Sequence, residues 1–437
     1  MSFTELQQQV IDRGLCARCG ICAGVCPVRV ISFNDVNFPV LAGKCTDCGF
    51  CTQCCPGGDV DYPALSSRLF QTGYEPSDLQ GYTENLFVAH PQDQAIRLAG
   101  SSGGMVTGLL VYLLEKGHID GALVVAMDPE KPYRSKGVIA TTAQKIRDAA
   151  QSKYSITPSM EVLADLRRKK GRYAVVALPC QIHGLRKLEL VDPKLSGKIA
   201  YILGLYCNCN LNPNGHLEAI ETCKVDLEEV ARFDFRGGGW PGGFFVVKKD
   251  GSQVPLHSIN IKNVMNVMFR LYGSERCYLC TDALAEYADL SFGDFWAFDY
   301  SDEFADLERC TLISQRTKRG MSLLEQAVAE GYISMHELPK ERASKRILNM
   351  ARGKKSRSFV RLLRKQKKGE PIPDYHSSLP AQPTRAIRKE MLYRFFFLFR
   401  GPFARRLVLR ILFSPVGLFL NRLNVMRKNL FCKYHGN

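Results

Sequence analysis

The sequence predicts an α/β protein with a small cysteine-bound module at its N-terminus and amphipathic helices at its C-terminus. Three observations carry that reading. Residues 16–56 hold eight cysteines in two matching runs, residues 85–339 alternate apolar strand-like runs with helical periods, and residues 340–437 carry a large excess of cations. A chain of 437 residues with 46% hydrophobic composition can bury more than one core, so the parts are read as separate units. These are residues 1–65, an α/β domain at 85–339, a basic linker at 340–385 and an amphipathic tail at 386–437.

The first unit follows from spacing. Cys16-x2-Cys19-x2-Cys22-x3-Cys26-Pro27 recurs as Cys45-x2-Cys48-x2-Cys51-x3-Cys55-Pro56. That is the pattern of a bacterial-type ferredoxin with two 4Fe-4S clusters, in which the fourth cysteine of each run ligates the other cluster. The expected ligand sets are therefore Cys16, Cys19, Cys22 and Cys55, and Cys45, Cys48, Cys51 and Cys26. Zinc also takes paired CxxC, but four plus four cysteines, each run closed by proline, exceed what a tetrahedral ion needs. Cys54 is out of register and is left out. Residues 28–39 read as the short strand and turn between the runs. Eight thiolate ligands among seventeen cysteines argue against a disulfide framework and for a reducing compartment, so the expected location is cytoplasmic. Residues 1–15 read as a polar start rather than a signal peptide.

In the second unit, residues 105–116 and 159–170 read as helices and 122–127, 173–178 and 199–206 as strands, an alternation that predicts a largely parallel sheet. Residues 231–260 read instead as strand, glycine loop, strand, an antiparallel insertion. Cys180 and Cys207 follow strands whose carboxyl ends should face a ligand crevice, and Cys277-x2-Cys280 adds a pair on one turn. They are either ligands of a third cluster or buried cysteines acting as small hydrophobes, and Cys209 competes with Cys207 for a place.

Two glycine-rich segments need a choice. Gly100-Ser101-Ser102-Gly103-Gly104 matches the hydrolase nucleophile elbow in form, yet nothing else calls for an acyl enzyme. Small residues before a helix expose backbone N–H groups to a phosphate, or simply cap the helix. Gly237-x-Gly239-x-x-Gly242 matches the dinucleotide fingerprint in form, but Pro241 interrupts it and a strand-like run at 244–249 stands where a helix is required. A Rossmann site is rejected. The loop, with Arg236 and Trp240, either covers a flat cofactor or is a mobile hairpin.

The basic excess is confined to one end: residues 340–437 carry 25 Lys and Arg against 4 Asp and Glu, while the remainder is mildly acidic. In the tail, Val416, Phe419, Leu420, Leu423 and Leu430 share one side of a helix and Asn421, Asn424 and Lys428 another. Phe403, Leu407 and Ile411 repeat at i+4 opposite Arg406 and Arg410. The segment is too charged to span a bilayer. It suits peripheral contact with an anionic leaflet or a membrane partner, or packing as a helical pair on the body. No nucleic-acid partner is expected, because the apolar face has no role in phosphate binding.

Taken in order, the paired cluster motifs, Ser102-Gly103-Gly104 with Thr107, Lys153-Tyr154, Leu178-Pro179-Cys180-Gln181, Phe235-Arg236-Gly237 with Trp240-Pro241-Gly242, and Arg276-Cys277-Tyr278-Leu279-Cys280-Thr281-Asp282 followed by Ala288-Asp289-Leu290-Ser291-Phe292-Gly293-Asp294 resemble the coenzyme F420 hydrogenase/dehydrogenase beta-subunit family. The resemblance covers roughly residues 10–300. With its paired-cluster start the chain is similar to the iron-sulfur flavoprotein electron-input subunit of F420H2 dehydrogenases. The resemblance implies a non-Rossmann FAD site contacted by Ser102, Gly103, Gly104, Thr107, Lys153 and Arg236, and a third 4Fe-4S cluster held by Cys180, Cys207, Cys277 and Cys280. It implies an oxidoreductase passing electrons between coenzyme F420 and one-electron carriers. A deazaflavin exchanges only a hydride and a cluster one electron, so FAD stands between them. Implied partners are a redox protein, possible ferredoxin included, or membrane dehydrogenase subunits, with the tail placing the chain on the inner face of the cell membrane. A ferredoxin-dependent reductase of another organic substrate and a non-catalytic iron-sulfur relay remain as alternatives.

Overall fold

Two left-handed glycines organise the N-terminal module in the computed structural model, which describes residues 2–256, 261–295, 307 and 309–434. Gly20 (φ +88°) and Gly49 (φ +79°) start the short helices Ile21–Gly24 and Phe50–Gln53, so the repeated cysteine spacing produces a repeated turn. Between them β1 (Ile31–Phe33) pairs antiparallel with β2 (Pro39–Leu41), with Ser32 opposite Val40. The module is not a bead on a string. A Cβ at Gly20 or Gly24 would collide with the carbonyl oxygens of Pro158 and Met160, and the Met160 N–H donates to the Cys19 carbonyl at 3.1 Å. Leu6, Ile21 and Val25 share one buried core with Leu163, Ile182, Leu185 and Tyr287 of the larger domain. The boundary expected at residue 65 falls inside the helix Tyr62–Phe70, which Asp61 caps by accepting from the Ala64 N–H at 2.8 Å.

The larger domain is built on an eight-stranded sheet. Its strands are β3 (Leu86–Pro91), β4 (Gly121–Met127), β5 (Ser135–Ala140), β6 (Tyr173–Ala177), β7 (Ile199–Leu205), β11 (Leu290–Asp294), β12 (Thr311–Gln315) and β13 (Ile333–Glu337), in the order β13-β3-β12-β11-β7-β6-β4-β5. Only the central strands β4, β6, β7 and β11 run parallel; every outer pairing is antiparallel, so the sheet is mixed rather than largely parallel. The cause at one edge is connection length: β4 reaches β5 through residues 128–134, too few for the crossover that parallel pairing needs. Helices α1 (Met105–Glu115) and α2 (Pro179–Val191) lie on opposite faces, α1 over the core containing Phe87, Leu109 and Ile313, and α2 against the cysteine module. A second sheet of β8 (Val230–Gly237), β9 (Gly243–Lys248) and β10 (Gln253–Pro255) is antiparallel throughout, as 231–260 led one to expect, and packs Phe233, Phe235, Phe244 and Val246 inward.

The stretch expected as a basic linker at 340–385 opens instead with a 28-residue helix, α3 (Lys340–Lys367). Its inner face buries Ile347, Ala351, Lys354, Lys355, Ser358, Phe359, Arg361 and Leu362. Composition misled here because buried cations on this face are consumed by internal partners, as in the Lys355–Glu286 pair at 2.7 Å. Residues 374–376 then dock on the cysteine module, where the Val60 N–H donates to Asp374 and the Asp374 N–H to Gly58.

The tail forms α4 (Thr384–Phe395), α5 (Pro402–Leu412) and α6 (Pro415–Tyr434). It is both packed and exposed. Leu409 is fully buried and Arg405 pairs with Glu218, while Leu398, Phe403, Leu407, Ile411, Val416, Phe419, Leu420 and Leu423 stay exposed. The side chains of Asn424, Lys428 and Leu430 lie outside the described residues. Among the described residues no helix is long and apolar enough to cross a membrane.

Candidate redox site

The cysteine module contains two cavities, and they sort the eight cysteines by the crossed rule. Cys16, Cys19, Cys22 and Cys55 line one; Cys26, Cys45, Cys48 and Cys51 line the other. Backbone N–H groups aim at the sulfurs: Arg18 donates to Cys16 Sγ at 3.4 Å, Asp47 to Cys45 Sγ at 3.4 Å and Gly57 to Cys55 Sγ at 3.3 Å. Arg18 and Asp47 both take φ of +52°, so two non-glycine residues adopt an unfavourable backbone at equivalent positions of the two runs. Burial pushes the Cys16 thiol up to about 12 and Cys51 up to about 11, and holds Cys22 well above the ordinary range. An all-sulfur donor set with N–H groups on the sulfurs fits an iron-sulfur cluster. Among the described residues no three His, Cys, Asp or Glu side chains close around a single-ion position. Cys48 is exposed whereas Cys19 and Cys22 are buried, so the second cavity is the one nearer solvent. Cys54 is fully buried and lines neither.

A third group of cysteines sits beyond the carboxyl ends of the central strands. Cys180 lies in the first turn of α2 after β6, Cys207 just after β7, and Cys277 in the short helix Arg276–Leu279, with Cys280 closing it. The four interact: Cys180 senses the charges of Cys19, Cys277, Cys207 and Cys280, and Cys207 those of Cys277 and Cys280. Cys209 joins them as a fifth sulfur, and its hydrogen bond draws the Cys277 thiol down to about 6. The electrostatic influence of Cys19 on Cys180 places this group near the first cavity. Arg276 fastens the two: Nε donates to the Gly57 carbonyl at 3.1 Å and Nη2 to that of Pro56 at 3.2 Å, while Nη1 meets the Tyr375 hydroxyl at 3.2 Å.

On the far side lies α3. Lys354 Nζ donates to the carbonyls of Cys207 (2.7 Å) and Asp282 (2.6 Å), Ser358 Oγ to that of Cys280 (2.9 Å) and Arg361 Nη1 to that of Tyr278 (3.2 Å). Sequence reasoning missed these residues. The available signal was an i, i+4, i+7 spacing, hidden because the stripe mixes cations with apolar residues.

The six residues expected at the flavin form a connected chain. Ser102 Oγ donates to the Cys310 carbonyl at 2.8 Å and the Gly103 N–H to Thr311 Oγ1 at 3.1 Å. A Cβ at Gly103 would sit 2.6 Å from the Cys310 backbone, so close approach to the strand is what requires glycine there. Gly104 (φ +71°) starts α1 without a side-chain cap, leaving the first-turn N–H groups, Thr107 among them, for water or an anion. Ser101 Oγ accepts from the Ser152 N–H at 2.8 Å, which brings Lys153 and Tyr154 to the loop. Lys153 Nζ donates to the carbonyls of Ala149 (2.6 Å) and Gln151 (3.1 Å), and burial pulls its pKa down to about 7. Buried Arg236 donates to the Pro241 carbonyl (2.8 Å) and the Tyr154 hydroxyl (3.4 Å), and pairs with Asp294 at 3.1 Å. Its charge is thus already met by a carboxylate, a partner that no pattern in the sequence suggests. The loop 238–242 joins antiparallel β8 and β9, so no helix follows its glycines.

Residues 86–164 match the family model for the N-terminal part of the coenzyme F420 hydrogenase/dehydrogenase beta subunit, and residues 170–341 the model for its C-terminal part. The chain belongs to the coenzyme F420 hydrogenase/dehydrogenase beta-subunit family. Residues 10–32 also match a 4Fe-4S binding domain. The F subunit of the F(420)H(2) dehydrogenase of Methanosarcina mazei is 29% identical over 309 residues, 67% of this chain and 78% of that protein. The beta subunit of the coenzyme F420 hydrogenase of Methanothermobacter thermautotrophicus is 27% identical over 301 residues, 67% of this chain and 99% of its own. The coenzyme F420-dependent sulfite reductase of Methanocaldococcus jannaschii is 29% identical over 304 residues, but the match spans only 43% of that protein. A chain of the F420-reducing NiFe hydrogenase complex from Methanosarcina barkeri shares the fold, with a TM-score of 0.54 at 24% identity, covering 70% of this chain and all of that one. The family is one of oxidoreductases, and this member adds a 4Fe-4S motif. Its C-terminal match ends at residue 341, so α3 to α6 lie almost wholly beyond it.

Proposed function

We propose that this chain exchanges electrons with coenzyme F420 at FAD and conducts them singly through three 4Fe-4S clusters to a partner redox protein. The observation that carries the reading is the series of cysteine groups: the group of Cys180, Cys207, Cys277 and Cys280, then that of Cys16, Cys19, Cys22 and Cys55, then that of Cys45, Cys48, Cys51 and Cys26, the last with one exposed residue, Cys48. The residues that would hold FAD are Ser102, Gly103, Gly104, Thr107, Lys153 and Arg236. The first turn of α1 offers N–H groups to a phosphate, while Lys153, bonded to the carbonyls of Ala149 and Gln151, and Arg236, paired with Asp294, would shape the walls of the site. FAD, when bound, supplies the conversion between hydride and single-electron chemistry. Arg276 and Arg18, buried between the first two cysteine groups, keep positive charge where electrons pass. Reduced F420 should reduce a one-electron dye with anaerobically purified protein carrying about one FAD per chain. Protein free of flavin yet complete in iron would reduce the role to that of a relay.

The tail supports a peripheral position on the cytoplasmic face of the membrane, beside the subunits of a membrane dehydrogenase. Its exposed side chains include Leu398, Phe403, Leu407, Ile411, Phe419 and Leu420 together with Arg388, Arg406 and Arg410, while Glu390, the one acidic residue among 384–434, is buried. Apolar side chains flanked by arginines and free of exposed acids suit an anionic lipid surface.

A further inference from the structure

The family match ends where α3 begins, yet α3 hydrogen-bonds to the loops that carry three cysteines of the third group. Lys354, Ser358 and Arg361 stand at i, i+4 and i+7, one stripe of a helix. Their side chains reach four carbonyls, of Cys207, Asp282, Cys280 and Tyr278, which belong to both loops carrying the cysteines. All three side chains are buried. Three donor groups making four hydrogen bonds to four carbonyls in a dry interior fix both loops at once, since opening either one strands polar groups away from water.

The stripe also brings charge. Lys355 is neutralised by Glu286 at 2.7 Å, and Arg361 by Glu390 through two hydrogen bonds of 2.6 and 2.8 Å. Among the described residues Lys354 has no such carboxylate pair. Its ammonium is bonded to two carbonyl oxygens of the cysteine loops, with Cys280, Cys207, Asp282 and Cys277 as its electrostatic neighbours. Arg18 is another cation that senses Cys277. A cluster gains a negative charge on reduction, and a cation held close in a low-dielectric interior stabilises the reduced form.

We propose that α3 is the closing element of the third cysteine site and that Lys354 is a positioning residue whose charge raises the reduction potential of the cluster bound there. The inference rests on the reading that Cys180, Cys207, Cys277 and Cys280 hold a cluster. It adds a determinant outside the matched family core, on the helix that begins where that core ends.

The test is a potentiometric titration of the full chain followed by low-temperature electron paramagnetic resonance, with iron measured on the same samples. Lys354→Met should keep the iron content of the unaltered protein and shift the one-electron equilibrium of the third cluster about tenfold toward oxidised, equal to about 59 mV. Lys354→Arg should restore most of the potential. Ser358→Ala removes a donor without a charge, so it should speed amide exchange at residues 278–282 while leaving the potential near its original value. Should Lys354→Met lose its third cluster, Lys354→Gln, which keeps a donor to the carbonyls, reads the charge instead. An unchanged potential in both neutral variants overturns the inference, as does an equal shift in Ser358→Ala, which would assign the effect to packing. Failure of the underlying reading looks different: the unaltered protein would hold only about eight iron atoms, with no third signal.

Discussion

Glu390→Ala is the sharpest structural perturbation available, because Glu390 is the only acidic residue among residues 384–434 and is buried. Its two oxygens accept from Arg361 Nε and Nη2 at 2.6 and 2.8 Å, and the guanidinium lies 4.6 Å from the Tyr278 ring centre and 5.1 Å from that of Tyr393. Removing the carboxylate leaves a buried cation whose other hydrogen bond is to the Tyr278 carbonyl. Two charge-assisted bonds at about 1.5–3 kcal/mol each, and the penalty of about 3–5 kcal/mol for breaking a buried pair, agree on a loss near 3–5 kcal/mol. Hydrogen exchange reads this locally, without requiring the whole chain to unfold in one step. Amide exchange in α4 should accelerate by about two to four orders of magnitude, the Boltzmann equivalent of that loss. Arg361→Met combined with Glu390→Leu should recover most of it, since apolar residues replace a buried pair at little cost. Exchange in α4 unchanged within about threefold would refute the buried pairing.

Two further outcomes follow from the same geometry. His216 is buried with Nε2 hydrogen-bonded to the Tyr133 carbonyl at 2.6 Å, and burial lowers its pKa from 6.5 to about 4. The unfolded chain therefore takes up the proton first: stability is complete above pH 6.5 and falls by at most about 3 kcal/mol as pH drops through 4. His216→Gln should flatten that window in urea titrations at pH 4.5 and 7, and an unaltered pH dependence would reject the assignment. For the tail, sedimentation with anionic vesicles should retain the full chain and neutral vesicles should not. Arg406→Ala with Arg410→Ala should weaken retention by about 2 kcal/mol, roughly thirtyfold. Equal retention by both vesicle types, or by neither, removes the anionic surface as the tail's partner.

What the sequence made legible was whatever spacing alone dictates. The residues of the two cysteine runs line two cavities in crossed sets of four, whereas for Cys180, Cys207, Cys277 and Cys280 spacing left cluster ligands and small buried hydrophobes equally open. Sheet direction was only half legible. Strand–helix alternation holds for β4, β6, β7 and β11, but the antiparallel additions at both sides depend on pairings such as β12 with β3, more than 200 residues apart, which no local period records. The reading failed most at α3, where buried Lys354, Lys355 and Arg361 look like solvated charge until their partners Glu286, Glu390 and the loop carbonyls are placed around them. Arg236 shows the same limit. Its glycine-rich loop read as cover for a flat cofactor or as a mobile hairpin, and neither reading contains its pairing with Asp294, a contact between β8 and the end of β11.

A continuous electron path through three clusters fixes the iron content of the chain. Anaerobically purified or reconstituted full-length protein should contain about twelve iron and twelve acid-labile sulfide per chain, and Cys277→Ser should fall to about eight while keeping the signals of the paired clusters. About eight iron in the unaltered protein, with no further loss in Cys277→Ser, would contradict the account.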